Sequence, residues 1–436
     1  MYLRERNVGR PRGANSGTTF HMGRIRLAYL VSHPIQYQAS LLRAIAADPD
    51  FDLKVFFCSD LSVRAHVDPG FGRPIAWDVP LLDGYTHEFL PAFGARDRLS
   101  FWRPFSYGLA ERLKRGRFEV LWVHGYARWT NWMAMASAKR LGIKVLVRDE
   151  PWLDSAVRGA PKRLLKHVFF WLLRQICDGF LVIGSLNRTY YLSEGIPEGR
   201  TFLVPYAVDN AHFQAHALQA SRERESLRAS LGLEPAHPVI LYASKFEARK
   251  RPDDLLEAYL KIARDPALRQ PCLIYIGDGA LRPVIEARVR ASGLDSIRLL
   301  GFKNQTELPA YFDLCDVFVL PSLREPWGLV VNEAMNAGRA IIVSDQVGAG
   351  ADLVREGENG AIFRAGDVDD LARALRGVLA DPVRCAAMGR CSVEMIERWS
   401  FAEDLAGLKR AVAYVTSVRD AAAASSSSGE NTRSSV

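Results

Sequence analysis

The sequence predicts an α/β protein of two parallel-sheet domains facing a central cleft. Three observations carry this. The chain has 436 residues, beyond the size at which a single core stops growing, which leaves room for two domains of roughly 180–200 residues each. Two separate series of short apolar runs alternate with helical segments, the βαβ order of a parallel sheet. The chemistry-bearing residues then follow directly on strands, at the sheet edge where open α/β folds hold their ligands.

The first series starts with IRLAYLV at 25–31 and continues through DLKVFFC, FEVLWVH, IKVLVRDE and GFLVIGS, with a further short strand at 201–205. These runs have the length and β-branched content of buried strands. Helices are expected at 41–47, 105–115, 130–141 and 160–176. Residues 68–93 are turn-rich and aromatic and read as an insertion or long loop near the cleft. Residues 1–21 are polar, rich in Gly and Arg, and lack an apolar h-region. They read as a disordered extension rather than a signal peptide, with Met22 directly before the first strand. The N-terminal domain is thus expected over 22–207.

The C-terminal domain, with its linker, is expected over 208–400. Residues 211–237 are charged and suit that linker. VILYASK, CLIYIGDG, IRLLGF, VFVL, IIVSD and GAIF supply the strands, with helices at 253–264, 281–292 and 306–314 between them. Helices at 368–380, 383–398 and 401–418 close the fold, and Ser-rich 421–436 read as a floppy tail.

Composition narrows the function. Apolar content of 48% with 24% charged residues is ordinary for a globular enzyme. The net charge is +8, of which +3 falls in residues 1–21, and the remaining excess suits anionic substrates or an anionic membrane surface. Nucleic acid is not an expected partner, because no aromatic RNA-binding pair, zinc spacing or base-reading basic helix is present. The six cysteines form no C-x-x-C pair; Cys272 and Cys315 fall in or beside core elements, as in a reduced, cytoplasmic protein. No apolar run reaches the ~18 residues of a spanning helix.

The most informative stretch is VFVLPSLREPWGLVVNEAMNAG at 317–338. A buried strand, 317–320, ends at Pro321-Ser322, and a helix begins near Trp327 or Gly328 and stops at Gly338. The first amides of that helix, at Gly328, Leu329 and Val330, lack intrahelical partners and lie at the positive end of its dipole. Gly328 lets a phosphate approach the backbone closely. Glu325 and Glu333 flank this anion seat. Carboxylates beside a phosphate pocket suit sugar hydroxyls, although two solvated helix-end charges are the plain alternative.

Glu-x7-Glu within EPWGLVVNEAMNAG resembles the donor-site signature of retaining GT-B glycosyltransferases of family four, the group 1 type, usually E-P/G-F-G-L-x-x-x-E-A-M-A-x-G. Trp327 stands for the usual Phe, Asn336 for a small residue and Ala340 for Pro; none of these removes a functional group. SHPIQYQASLLRAIA, WDVPLLDGY and PYAVDNAHF look like a bacterial subgroup of that family. The resemblance implies two Rossmann-like domains, the N-terminal one for an acceptor and the C-terminal one for a nucleotide diphosphate sugar. It also implies a last helix, 401–420, that crosses back onto the N-terminal domain. Transfer with retention of configuration to a glycan or lipid-linked acceptor, in polysaccharide or glycoconjugate synthesis, is the expected activity.

Site residues follow by the same resemblance. Lys245 and Lys250 in SKFEARKRP match the family's G-R-L…K-G pattern, Lys245 standing for Arg. Two cations on one strand-to-helix loop can neutralise a leaving diphosphate, the work a metal ion does elsewhere; a solvated basic loop is the plain alternative. Lys245 keeps the charge of Arg but loses its bidentate fork. Glu333 is assigned to the ribose and Glu325 to the transferred sugar. His124, ending VLWVHG, matches the acceptor-domain His that the family sets against that sugar, where a merely structural His is the alternative. Asp149 or Glu150, ending the next strand, can orient or deprotonate an acceptor hydroxyl, and the other is expected to pack against Arg148.

Other motifs are weaker. Gly277-Asp278-Gly279 lacks a third glycine and reads as a tight turn. Asp48-Pro49-Asp50 follows a helix and reads as its terminating turn. No His/Cys/Asp cluster has metal-ligand spacing, so no metal and no cofactor are expected beyond the donor itself. Helix 160–176 is basic, with a broad apolar face including Phe169, Phe170 and Trp171. Core packing explains that face, and an anionic membrane surface met through Lys162, Arg163 and Lys166 is the alternative. Rival activities are a nucleotide-sugar epimerase, a phosphorylase, for which no pyridoxal-phosphate lysine is identifiable, and a non-catalytic sugar- or lipid-binding scaffold.

Overall fold

The computed structural model describes residues 23–64, 66–68, 70–94, 99–151 and 160–430, without side chains at 66, 67, 160–163 and 418–430. The extension expected at 1–21, Met22 and the last six residues lie outside the described residues.

In the N-terminal half, β1 (Ile25–Val31), α1 (Gln36–Ala47) and β2 (Phe51–Phe57) form the first βαβ unit. Two short hairpin strands, β3 (His66–Asp68) and β4 (Arg73–Ile75), then lead to β5 (Thr86–Phe89). A second small pair, β6 (Ala92–Phe93) and β7 (Phe105–Ser106), precedes α2 (Leu109–Arg115). The unit closes with β8 (Val120–His124), α3 (Trp129–Arg140), β9 (Lys144–Arg148), α4 (Ala160–Ile176), β10 (Gly179–Val182), α5 (Ser185–Ser193) and β11 (Thr201–Leu203). The sheet order is β11-β10-β9-β8-β1-β2-β5, and every pairing is parallel. The chain moves one way from β1 and the other way from β8. Right-handed crossovers therefore put α1 on one face and α3, α4 and α5 on the other.

The C-terminal half starts with α6 (Asn210–Ala220) and α7 (Arg224–Ser230). Next come β12 (Val239–Ala243), α8 (Pro252–Ile262), β13 (Cys272–Ile276), α9 (Arg282–Ser292), β14 (Ile297–Leu299) and α10 (Leu308–Leu314). They are followed by β15 (Val317–Leu320), α11 (Leu329–Asn336), β16 (Ala340–Ser344), α12 (Gly348–Leu353), β17 (Gly360–Phe363), α13 (Val368–Leu379) and α14 (Pro382–Ile396). Its parallel sheet runs β14-β13-β12-β15-β16-β17. Leu255, Tyr259, Leu371 and Leu375 fill the core on one face, and Phe312, Val331, Met335 and Leu353 on the other. The last helix, α15 (Phe401–Glu430), returns to the N-terminal sheet, where Leu408, Ala411, Val412 and Val415 are buried beside Leu42 and Ile45 of α1.

Four segments differ from the reading of the sequence. Residues 86–89 are not loop but an edge strand on β2, and the short, polar THEF gives too little apolar signal to announce it. Helix 105–115 shortens to Leu109–Arg115, because Phe105–Ser106 pair with Ala92–Phe93 and Gly108, at φ +76°, breaks the backbone before the helix. The 211–237 linker is two helices packed on the C-terminal domain. Asp209 caps the first through the amide of His212, and Phe213 and Ala217 are buried beneath it. Helix α15 continues through the start of the expected tail to Glu430, its run of alanines at 421–424 favouring helix before the serines.

Candidate functional site

In the C-terminal sheet the winding reverses between β12 and β15. The loops that leave these two strands therefore separate above the sheet and open a crevice at their carboxyl ends. The β12 loop carries Lys245 and Lys250; the β15 loop carries Glu325 and leads into α11. Strand order alone brings the two predicted motifs together. The N-terminal sheet reverses between β1 and β8, which puts the β1 loop, Ser32-His33, and His124 at its own crevice.

A cavity of about 370 Å³ joins the two. Lys245, Lys250, Glu325, Gly328, Leu329 and Val330 line it from the C-terminal side. His33, Gln36, Ser62, Asp68, Phe71 and Trp77 line it from the N-terminal side. Gly328 has φ +97°, and a Cβ there would stand 2.9 Å from Leu320, so only glycine lets the chain turn into α11 at this point. Among the described residues, no backbone acceptor meets the amides of Gly328, Leu329 and Val330. The loop is held by Glu325 N–H donating to Gln346 O (3.1 Å) and Gly348 N–H donating to Glu325 O (2.9 Å).

Both lysines are engaged by carboxylates. Lys250 is buried and donates to Glu325, with Arg249 3.8 Å from the same carboxylate. Burial lowers the Lys250 pKa, and the charge of Glu325 opposes that shift. Lys245 reaches across the cleft to Asp68, 2.7 Å away. Gly277 packs under this loop: a Cβ there would meet Ser244 O at 1.9 Å. The Gly-Asp-Gly segment, expected as a tight turn, is instead irregular backbone laid beside the lysine loop, with Phe246 N–H donating to Asp278 O at 2.8 Å.

Glu333 opens instead on an adjoining cavity of about 210 Å³, lined also by Tyr37, Ser40, Arg43, His212 and Gln305. Gln36 borders both spaces. Burial pushes the Glu333 carboxyl up to about 8. A buried carboxylate that faces a polar cavity suits a ligand that donates hydrogen bonds, as a diol does.

The acceptor-side candidates separate. Asp149 accepts from the amides of Tyr126 (2.8 Å) and Glu150 (2.7 Å), so it ties down the β8 and β9 loops. Glu150 accepts from the Tyr206 hydroxyl, and burial raises its pKa while Glu325 acts on it through space. Asp149 is thus committed to backbone amides, and of the two it is Glu150 that feels the charge of Glu325 from the donor side. Arg148 packs on neither; it stacks over Tyr206 and pairs with buried Asp404 of α15 at 3.7 Å. His124 is hydrogen-bonded to Tyr29 (3.1 Å) and Gln38 (3.1 Å). Burial, with Arg148 and His33 nearby, lowers its pKa to about 3, so the ring is neutral. His33 and Gln36, not His124, line the cavity opposite the lysines. The signal for His33 was present in the polar SHP turn that follows β1; Asp68 and Trp77 fall in the 68–93 stretch expected near the cleft, where neither was singled out as a site residue.

The departures from the motif tie the donor helix to the inter-domain crossings. Trp327 stacks on Trp399, with centroids 5.3 Å apart. The Tyr206 carbonyl accepts from both Trp399 Nε1 (2.8 Å) and Asn332 Nδ2 (3.1 Å). Asn336 donates to Asn210 (2.9 Å) and accepts from Gln214 (3.0 Å). Among the described residues, no three His, Cys, Asp or Glu side chains are grouped to hold a metal ion.

Residues 223–393 match the family model described as glycosyl transferases group 1. These residues, which hold β12 to β17, are thus similar to the group 1 glycosyl transferases. The chain is 31% identical over 234 residues to D-inositol 3-phosphate glycosyltransferase 2 of Catenulispora acidiphila, covering 52% of this chain and 53% of that one. It spans about half the length of the curated relatives it matches. The fold of the described residues is GT-B. HepE of Anabaena, solved with UDP, aligns over 92% of this chain and 100% of its own with a TM-score of 0.65 at 15% identity. Sucrose-phosphate synthase from Thermosynechococcus elongatus aligns over the same shares with a TM-score of 0.61 at 22% identity. The matched residues span all of the donor-side candidates, Lys245 to Glu333, whereas Asp68, His124 and Glu150 lie outside them.

Proposed function

We propose that the protein is a retaining glycosyltransferase that moves a sugar from a nucleoside diphosphate sugar to a glycan or lipid-linked acceptor in polysaccharide or glycoconjugate synthesis. The observation that carries this is the convergence of two lysines, Glu325 and the open amides of α11 on one inter-domain cavity beside the Glu333 carboxylate. Lys245, Lys250 and those amides hold the diphosphate and take up the charge that develops as it leaves. Glu333 receives the ribose hydroxyls, and Glu325 the hydroxyls of the moving sugar. The likeness to HepE, solved with UDP and with UDP-glucose, supports a nucleotide-sugar donor.

The acceptor enters from the N-terminal side, where Glu150, held by Tyr206, orients its hydroxyl. The bond between the anomeric carbon and the phosphate oxygen breaks, and the acceptor oxygen bonds to the same face. Its proton passes to the leaving phosphate oxygen. Neutral His124, its ring nitrogens held by Tyr29 and Gln38, fixes the β8 end of the acceptor side, while His33 and Gln36 face the transferred sugar from the cavity wall. The lysines take the role a metal ion has elsewhere, so no metal is required. Six thiols, Cys315 and four others among them buried, suit the reducing cytoplasm.

A thermal-shift screen of UDP-, GDP- and ADP-sugars identifies the donor, since a ligand at 100 times its Kd adds about 2.7 kcal/mol. NMR of the product then reads the anomeric configuration. An inverted product, or donor turnover without an acceptor as in an epimerase, overturns the proposal.

A further inference from the structure

Helix α4 is apolar on two opposite sides. Phe170 and Leu173, 2% and 0% exposed, pack into the N-terminal core. The opposite side carries Leu164, Leu165, Val168, Trp171 and Leu172, which are 67%, 71%, 46%, 52% and 42% exposed. Their spacing is that of one helical face. The outer side of a helix that covers a parallel sheet is ordinarily polar, and five large apolar side chains in one stripe are not scattered exposure.

Charge points to what covers the stripe. Within Ala160–Ile176 there is no Asp or Glu, while Lys162, Arg163, Lys166, His167 and Arg174 are present. Lys166 and Arg174 are anchored off the apolar face, Lys166 to Glu194 at 2.6 Å and Arg174 to the Gly195 carbonyl at 2.9 Å. An apolar stripe holding a Trp, with cations and no anions on its helix, is the pattern of a helix lying in the interface of an anionic bilayer. A protein groove would offer no general reason to exclude every acid.

The position of α4 fits as well. It follows β9, whose carboxyl end leads directly to Glu150, so its first turns, with Leu164 and Leu165, lie at the cleft edge of the sheet. Exposed Phe93 belongs to β6, and exposed Trp102 packs against Trp129 at the start of α3, on the carboxyl side of the same sheet. Among the described residues, no helix is long and apolar enough to cross a membrane, so contact through α4 would be peripheral.

We infer that the outer face of α4 docks on an anionic lipid surface and brings the acceptor side of the cleft to it. The inference rests on the glycosyl-transfer reading only for the meaning of that placement, that a lipid-linked acceptor is met where it lies. The docking itself needs no turnover.

The experiment is flotation of the full chain with vesicles of phosphatidylcholine alone and of equal parts phosphatidylcholine and phosphatidylglycerol. The wild type should float with the anionic vesicles and stay below with the neutral ones, and high salt should reduce the floating fraction. Leu165→Glu and Trp171→Glu should lose flotation while keeping the wild-type melting temperature, since both side chains are exposed. Light scattering on the same proteins tests the rival occupant. A wild type that stays below with anionic vesicles, Glu variants that float as it does, or a wild-type dimer that the Glu variants dissolve each overturns the proposal. A failure here leaves the donor screen untouched, and a failure there leaves flotation untouched.

Discussion

Lys245 and Asp68 form a 2.7 Å ion pair that joins the two domains across the cleft. Asp68 closes the β3 strand, and its hairpin is fastened to the opposite domain at further points. Phe71 meets Phe302 edge-on at 5.0 Å, Arg73 lies over the same ring, and Asn304 donates to the Ala76 carbonyl at 2.8 Å. In the proposed reading a donor diphosphate needs Lys245, so it competes with Asp68 for the same ammonium. Asp68→Asn removes the competitor without removing the hairpin. The pair is partly solvated, and such pairs contribute at most about 1 kcal/mol, so nucleoside diphosphate affinity should rise roughly 2–5-fold. Calorimetry on wild type and variant checks this; unchanged or weaker binding would mean that Asp68 positions Lys245 rather than blocking it.

The buried carboxyls set a pH dependence. Burial raises Glu333 to about 8 and Asp404 to about 7, the latter against the pull of Arg148. Unfolded, both titrate near 4, so between that point and their folded values the native state holds more protons than the unfolded one. Stability contributed by the two groups is complete at low pH and falls as pH rises towards 8. The melting temperature of the unliganded protein should therefore decline from pH 5 to pH 8, and Glu333→Gln should flatten the decline. Ribose hydroxyls would stabilise the charged carboxylate, so nucleotide binding at pH 7 should release a proton. Calorimetry in buffers of different ionisation enthalpy reads that release directly.

Metal independence has an equally direct test. If Lys245, Lys250 and the α11 amides carry the charge of the leaving diphosphate, EDTA should leave transfer unchanged. Loss of activity with EDTA, restored by magnesium or manganese, would remove the two lysines from that role.

Where the site was legible in the sequence, the signal was local. A strand, a Gly and the next few residues of a helix define the α11 seat by themselves, and the β12 loop presents its lysines in the same way. What lay hidden was tertiary. Nothing near Asp68 announces that its hairpin crosses to Lys245, and residues 86–89 are too short and polar to declare a strand. Asp149 and Glu150 are adjacent acids in sequence. The Tyr126 amide takes one and the Tyr206 hydroxyl the other, and neither partner is a neighbour in the chain. The helices within 211–237 were obscured because few of their residues are buried, Phe213 and Ala217 among them. Asn336 and Trp327, substitutions of small consequence on the sequence, hold the donor helix to the inter-domain crossings.

Glu325→Gln and Glu333→Gln should fail in different ways, because the two carboxylates face different cavities and, among the described residues, only Glu325 has a cationic partner. Glu333 is assigned to the ribose, whose charge does not change during transfer. Loss of its charge-assisted hydrogen bonds should cost roughly 1.5–3 kcal/mol of binding, felt equally by sugar nucleotide and free nucleoside diphosphate. The unliganded Glu333→Gln protein should nevertheless be more stable than wild type above pH 7, since a buried charge has been removed. Glu325 is assigned to the moving sugar, whose ring becomes cationic as the phosphate bond breaks, so its loss should fall mainly on kcat. It also neutralises buried Lys250. Losing one partner of a buried pair costs about 3–5 kcal/mol at full effect. The Gln carbonyl still accepts a hydrogen bond from Lys250, and burial already favours the neutral amine, so a fall of roughly 1–3 kcal/mol in stability is expected. Free nucleoside diphosphate should bind the folded Glu325→Gln protein at least as well as wild type, because Lys250 is released from its carboxylate. Melting curves, calorimetry and steady-state kinetics on both variants test the assignment together. If Glu325→Gln weakens the nucleotide while Glu333→Gln loses only turnover, the donor lies in the cleft in the opposite orientation.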